Sequence, residues 1–583
     1  MLNFCDYFLR YKTDALNKVF VLNIVTNKSL IIIMISKDEI FGYQPNPKYK
    51  KPVAYFSMEF AIDQALKIYS GGLGFLAGSH MRSAYELKQN IIGIGMLWKN
   101  GYYDQSREIN DDMKPIFVEK DYSFLVDTGI MFTVPVHDYP VYVKAYLLKP
   151  ETFGSAPLFL LTTNLNENDE QSRSISYQLY ASNEATRIAQ SIILGIGGAM
   201  LLDKLGLDIE IYHMNEGHSL PLNFYLYSKF KSLEEIKKRV VFTTHTPEAA
   251  GNEEHRFQLL KEMSFFYHLQ DHEVKHILNI EGDSLNYTVA ALKFAKKANG
   301  VSKIHGKVAQ EMWKGNSGIA EIIAITNAQN KTYWKDDQLE KALADNNDDA
   351  IISRKKGMKR QLFKVVADQC GKLFDENVLT VVWARRFAAY KRADLMMRDW
   401  DRFIKLIYNS KHPIQVIWAG KPYPEDYGAI EQFNQIIRRA KPIANCAVLI
   451  GYELALSALL KKGSDVWLNN PRMYREASGT SGMTAAMNGS INLSLPDGWV
   501  PEFAKDRENA FVIVPAADNL SYDEKDTKEA AELMDILENT ILPMYYNDQK
   551  KWLTIVKNAA KDIVPTFDSG RMADEYYQKM YSA

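Results

Sequence analysis

From about Pro52 onward the chain alternates short, β-rich apolar runs with longer amphipathic segments, and that alternation admits few folds. Strands that are apolar on both faces must be covered by the helices that join them, which gives a parallel sheet. Residues 53–57 read as the first strand, 69–78 as a glycine-rich turn opening a helix, and 91–97 as the next strand. Residues 106–170 change texture, and runs such as 141–146 and 158–161 predict antiparallel strands inserted into this first half. A helix is expected over roughly 176–204, followed by strands at 209–213, 240–244 and 322–327 that each end in polar residues. A second series of βα units begins at 378–383 and continues through 414–419, 447–450, 466–468 and 491–493. The expected fold class is α/β, with two Rossmann-like domains facing a cleft.

The expected domain divisions are 1–51, 52–372, 373–545 and 546–583. The first segment is an N-terminal extension whose first 33 residues are expected to lie outside the fold. Its apolar patches, 19–22 and 30–34, are too short to span a bilayer. The charged, Asn/Asp-rich stretch 335–372 reads as a solvated connection between the domains, and the last helical segments as crossing back to the first.

With 583 residues and 46% hydrophobic content, the chain has ample material for large cores. Its 70 Lys and Arg against 71 Asp and Glu leave no net field that would attract nucleic acid or an anionic membrane. A neutral partner such as a sugar polymer suits that balance. Cys5, Cys370 and Cys446 are far apart and form no Cys-x-x-Cys pair, so neither a disulfide framework nor a zinc site is expected. No metal is expected, and the natural compartment is a reducing cytoplasm.

In open α/β sheets ligands sit at the carboxyl ends of the strands. The stretches 214–218 and 245–249 are therefore candidate site loops, although a lone histidine such as His218 or His245 is more often a hydrogen-bonded structural residue. Residues 475–489 lead from a Gly/Ser/Thr turn at Gly479, Thr480 and Ser481 into an Ala/Met segment. That is either an anion seat at a helix start or a capped helix without a ligand. Arg386 and Lys391, just past a strand end, could converge on one phosphate, a planar fork beside a point charge; the alternative is a solvent-exposed basic cap.

Glu476-Ala477-Ser478-Gly479-Thr480-Ser481-Gly482-Met483, followed by Ala485-Ala486-Met487-Asn488-Gly489, resembles the signature of the glycogen and α-glucan (maltodextrin) phosphorylases. The resemblance extends in order through Gly71-Gly72-Leu73-Gly74, Tyr102 to Gln105, Thr244-His245-Thr246, Thr326-Asn327 with Ala328 in place of a Gly, Trp334, the element around Arg386 and Lys391, and Trp418 to Pro424. It implies a glycosyltransferase-B type architecture and a retaining glucosyl transfer between an α-1,4-glucan and phosphate, giving glucose 1-phosphate. By the same resemblance Arg386, Lys391 and the Gly72 amide meet the phosphate, with Gly71 and Leu73 beside it. His245, Asn327 and Glu476 orient the sugar, with Ser478 and Gly479 lining its seat, and His245 joins Arg386 and Lys391 as a catalytic residue. Thr480, Ser481 and Trp334 hold pyridoxal phosphate (PLP). The family's Schiff-base lysine falls at Thr484, which cannot form an imine. Three readings follow: a phosphorylase holding PLP noncovalently, a PLP-independent nucleotide-sugar glucosyltransferase, and a noncatalytic glucan-binding relative. Enzymes of this kind are commonly homodimers.

Overall fold

The computed structural model describes residues 18–25, 29–248, 251–280 and 282–582, with side-chain environments from Ser36 onward. Cys5, Ala249 and residues 1–17 and 26–28 of the expected N-terminal extension lie outside the described residues. Lys18–Val25 and Ser29–Ser36, which carry the two apolar patches, pair as an antiparallel hairpin separate from the two large sheets.

The first large sheet has nine strands. Seven are parallel, in the order Glu321–Ala324, Lys297–Gly300, Val240–Thr243, Ile211–Asn215, Val53–Phe56, Ile91–Met96 and Leu158–Thr162. Tyr139–Leu148 and Val126–Val136 then extend it antiparallel. The expectation for 158–161 holds on one edge only: this fully buried run pairs antiparallel with Tyr139–Leu148 but in parallel with Ile91–Met96, so it joins the antiparallel flap to the parallel sheet. Strands buried on both faces read as unbroken apolar runs, and this one does.

The second sheet is wholly parallel, in the order Cys446–Leu449, Ile414–Ala419, Leu379–Ala384, Val466–Asn469, Ile491–Ser494 and Ala510–Val512. The last strand, three residues long, is too short to announce itself by periodicity. Two parallel sheets, each with its own apolar core, give the expected two-part α/β architecture of the glycosyltransferase-B type.

Helix Glu184–Lys204 is long and apolar enough to cross a membrane, but 78% of its most apolar window is buried inside the protein, as a core helix should be. The stretch expected as a solvated connection is also different from its reading. Asp348–Cys370 is one long helix that buries Ile351, Met358, Leu362 and Val366 against the second half. Lys355 and Lys359 on the same face donate to buried oxygens there. Their charges made the helix look solvated, yet both are core residues with satisfied ammonium groups.

At the other end of the chain, helix Gln549–Phe567 packs beneath the Ser481–Met487 helix. The following helix places Met572, Tyr576 and Met580 in the first core, and the Tyr581 hydroxyl lies 2.7 Å from His213 Nδ1. The chain thus returns to the first half.

Candidate active site

The loops at the carboxyl ends of both sheets line one cavity of about 770 Å³, within the usual range for a small-molecule site. Gly71, Gly72, Leu73, His245 and Asn327 come from the first half; Arg386, Lys391, Glu476, Ser478, Gly479, Thr480 and Ser481 come from the second. Twelve expected site residues are thus brought together. Trp334 and Thr484 are not: both are buried behind the wall, and the Thr484 hydroxyl donates to Ser481 O at 3.0 Å.

The glycine turn owes its shape to a carboxylate. Glu59, just past the first parallel strand, accepts from Ser70 N at 2.6 Å, Gly71 N at 3.1 Å and the Tyr180 hydroxyl at 2.9 Å. The Gly71 amide is therefore occupied. The Gly72 amide opens the helix Gly72–Glu86, which has no side-chain cap and no acid in its first turn, so the helix start is left for a ligand. A side chain at Gly71 or Gly72 would meet nothing within 4 Å and would project into the open cavity.

Across the cavity, strand Leu379–Ala384 runs straight into Arg385 and Arg386, and a tight 3₁₀ turn then brings Lys391 back beside them. Glu476 sits among these cations, 3.2 Å from Arg385 Nη2 and 3.2 Å from Lys391 Nζ. Burial works to raise its pKa, and Lys391 and Arg385 together outweigh that, leaving it below the ordinary range. The carboxylate expected to orient sugar hydroxyls is thus clasped by two cations, and only its remaining lone pairs can do so. Its loop is set by Asp497, which accepts from the amides of Arg475 and Glu476 at 3.1 and 3.0 Å. Gly479 turns the chain with φ +82°, where a side chain would be strained and would press on Glu476.

Among the described residues, Arg385 keeps two buried N–H groups, at Nε and Nη1, without acceptors. Asn327 Oδ1, Ser478 Oγ and His218 Nδ1 are also buried and unpartnered in the same lining. Unsatisfied buried polar atoms are costly, and five of them around one cavity describe a ligand with both anionic and hydroxyl groups. His245 adds an acceptor: Nε2 lies 2.7 Å from Asn215 Oδ1, whose amide in turn donates to Ser57, so Nε2 carries the hydrogen and Nδ1 the lone pair. Burial first, then the neighbouring His305 and His218, push its pKa down to about 3, so the ring is neutral. Glu216, at the next strand end, accepts from His245 N at 2.7 Å; burial pushes its pKa up to about 7.

Lys391 is the titratable cation of the site. Burial and then the two adjacent arginines lower its pKa to about 7, against the opposing pull of Glu476. The charged form is present below that value and lost above it, so anion binding weakens as pH rises. Sulfate, whose own charge is constant over this range, is the clean probe. Its affinity should fall by up to roughly tenfold per unit above about pH 7, and a flat profile from pH 6 to 9 in titration calorimetry would contradict the assignment.

Arg385, Glu59 and Lys421 were not singled out as site residues. Arg385 and Arg386 are adjacent at a strand end, and periodicity alone does not say which faces Glu476. Lys421 is held by Glu453 at 3.0 Å and Tyr103 O at 2.9 Å, contacts from distant segments.

The chain is similar to known proteins. The carbohydrate phosphorylase family pattern matches residues 283–540. An uncharacterized protein of Methanocaldococcus jannaschii is 45% identical over 532 residues, covering 91% of this chain and all of that protein. The maltodextrin phosphorylase of Thermococcus litoralis is 33% identical, over 92% of this chain and 71% of its own length. The glycogen phosphorylase of Aquifex aeolicus is 31% identical, over 92% and 86% respectively.

Proposed function

Because the chain belongs to the carbohydrate phosphorylase family, we propose that it is an α-glucan phosphorylase-type retaining glucosyltransferase, moving a glucosyl unit between an α-1,4-glucan and phosphate. The observation that carries this reading is the division of unsatisfied groups around one cavity. Arg385, Arg386, Lys391 and the Gly72 amide form an anion-binding side; Asn327, His218, His245 Nδ1 and Ser478 form a hydroxyl-binding side.

In this reading the glycosidic C1–O bond breaks while a phosphate oxygen bonds to C1 from the same face, and a proton passes to the departing sugar oxygen. Positive charge develops at C1 beside the phosphate. Arg386 and Lys391 hold that phosphate in place, and the Gly72 amide donates to it without reorganising, an arrangement whose single donors are typically worth about 10²–10³ in rate. His245 Nδ1 accepts from a sugar hydroxyl, as does Asn327 Oδ1, fixing the ring against the cations.

The residues fit the family's cofactor only at its phosphate. Arg385 with its two unpartnered N–H groups, together with Thr480 and Ser481, suits a second phosphate, whereas Trp334 is buried behind the wall with Lys461 Nζ 3.6 Å from its ring centroid and presents no open face to the cavity. When bound, PLP would supply a phosphate that exchanges a proton with the substrate phosphate.

The test is glucose 1-phosphate release from maltodextrin and inorganic phosphate, with and without added PLP, beside transfer from nucleoside-diphosphate glucose to maltodextrin. Glucose 1-phosphate should form. Turnover of the nucleotide donor without any phosphorolysis would replace this reading with a nucleotide-sugar transferase, and inactivity in both assays would leave a glucan-binding protein.

A further inference from the structure

Among the cations lining the cavity, Arg385 has donors that the Arg386 and Lys391 seat does not use. It is 5% exposed, gives Nη2 to Glu476 at 3.2 Å, and keeps Nε and Nη1 buried with no acceptor among the described residues. A buried guanidinium N–H left unpaired is costly, and an oxyanion relieves it by accepting a charge-assisted hydrogen bond. Ser481 lines the same cavity. Its hydroxyl oxygen accepts from Trp467 Nε1 at 3.3 Å, which leaves its own hydrogen to donate. Thr480 beside it brings a second hydroxyl to the lining.

The space behind these donors is closed to a flat ring. Trp334 is 2% exposed; Lys461 Nζ lies 3.6 Å from its ring centroid, Phe75 packs on it at 5.7 Å, and the same Nζ is 5.3 Å from the Phe75 ring. Ala61, Tyr69 and Leu454 complete that cluster. A ring stacked on the indole would have its centroid about 4.5–7 Å away, where Phe75 already stands. Thr484 is fully buried, its hydroxyl donating to Ser481 O at 3.0 Å. Asn488 Nδ2 donates to the Thr484 and Trp334 carbonyls at 2.8 and 2.9 Å and ties the two segments together. The anion donors line the cavity, whereas the ground beyond them is packed.

We infer that the Arg385 seat takes a second molecule of inorganic phosphate, free of any pyridine ring, so that the chain works with two phosphates instead of one phosphate and PLP. The inference rests on the phosphorylase reading, in which Arg386 and Lys391 hold the substrate phosphate, and it departs from the family at the cofactor. Phosphate is then both co-substrate and resident anion, and the rate rises more steeply than in proportion to its concentration until the second seat is filled. PLP can bring its phosphate to Arg385 only by laying its ring in the open cavity, against the residues that receive the sugar. It therefore inhibits.

The experiment is equilibrium dialysis of the desalted full-length protein against radiolabelled inorganic phosphate, without PLP or glucan. Two phosphates per chain are expected. Arg385→Lys keeps a cation beside Glu476 but loses the spare N–H groups, and should weaken one of the two at least tenfold while the other changes by less than about threefold. One phosphate per chain in the wild type overturns the inference, and so do two that both persist unchanged in Arg385→Lys. Initial rates of phosphorolysis give the second readout: an apparent order in phosphate above one at low concentration, and a fall in rate when PLP is added. A rise in rate with PLP overturns the inference and leaves the phosphorylase reading standing. Two phosphates lost in this pattern, with no phosphorolysis under any condition, would uphold the second seat and sink the functional reading instead.

Discussion

Arg386→Ala and Lys391→Ala should each weaken binding of phosphate or glucose 1-phosphate by on the order of 2–4 kcal/mol, the usual cost of truncating one partner of a buried charge-assisted contact. The two differ in cause. Arg386 is exposed to the open cleft with no carboxylate in hydrogen-bond reach, so its loss removes attraction and little else. Lys391 is also a partner of Glu476, and its loss leaves that carboxylate held by Arg385 alone, beside the incoming anion. The second variant should therefore be the more damaged. Arg386→Lys should also bind weakly, because a point charge does not replace a planar fork. Glu476→Gln removes the one negative charge among the three cations but also the pull that keeps Lys391 protonated, so anion affinity should rise below about pH 7 and fall off at a lower pH than in the wild type. Titration calorimetry with phosphate reads all four. Unchanged affinity in both alanine variants would remove the anion site from this part of the cavity.

The second large effect concerns Thr484. The family resemblance suggests that Thr484→Lys simply restores a missing amine, but the tertiary structure makes the single change costly. Thr484 is fully buried, and the neighbouring Trp334 face already carries the Lys461 amine. A lysine at 484 overfills a closed core, at about 1–3 kcal/mol, and brings a second amine into an apolar pocket. Thr484→Lys alone should lower the thermal midpoint by several degrees. Thr484→Lys combined with Lys461→Met exchanges the amine between helices, and most of the lost stability should return. With PLP the double variant should develop imine absorbance and a borohydride-stable adduct at position 484, with phosphorolysis of maltodextrin at least retained. A nucleotide-sugar transferase would behave otherwise, losing activity with nucleoside-diphosphate glucose because the new side chain crowds the donor seat. Calorimetry of the single and double variants, with peptide mapping after reduction, checks the whole pattern. A double variant no more stable than the single would show that the two lysine positions do not share one pocket.

Much of the architecture is legible because it is written at short range. Parallel strands buried on both faces must be apolar along their length, so 53–57, 91–97, 240–244, 378–383 and 414–419 announce themselves, and polar residues following such runs mark the cleft. Twelve of the expected site residues meet there for that reason. What local pattern misreads is charge inside a core. Lys355 and Lys359 made a buried helix look solvated, because a lysine that donates to carbonyls of distant segments is locally identical to one in water.

The sequence by itself determined the βα alternation, the two series of strands, the loops that carry the site and the absence of an amine at Thr484, because each depends on residues that are neighbours along the chain. Only the tertiary structure decided that Glu476 lies between Arg385 and Lys391, that Trp334 and Thr484 stand behind the cavity wall, and that Lys461 has no oxygen partner among the described residues. Those facts belong to packing between segments distant along the chain, 91 and 85 residues apart for Glu476 and its two cations, and no periodicity within a segment encodes which side chain a distant one will leave unpaired.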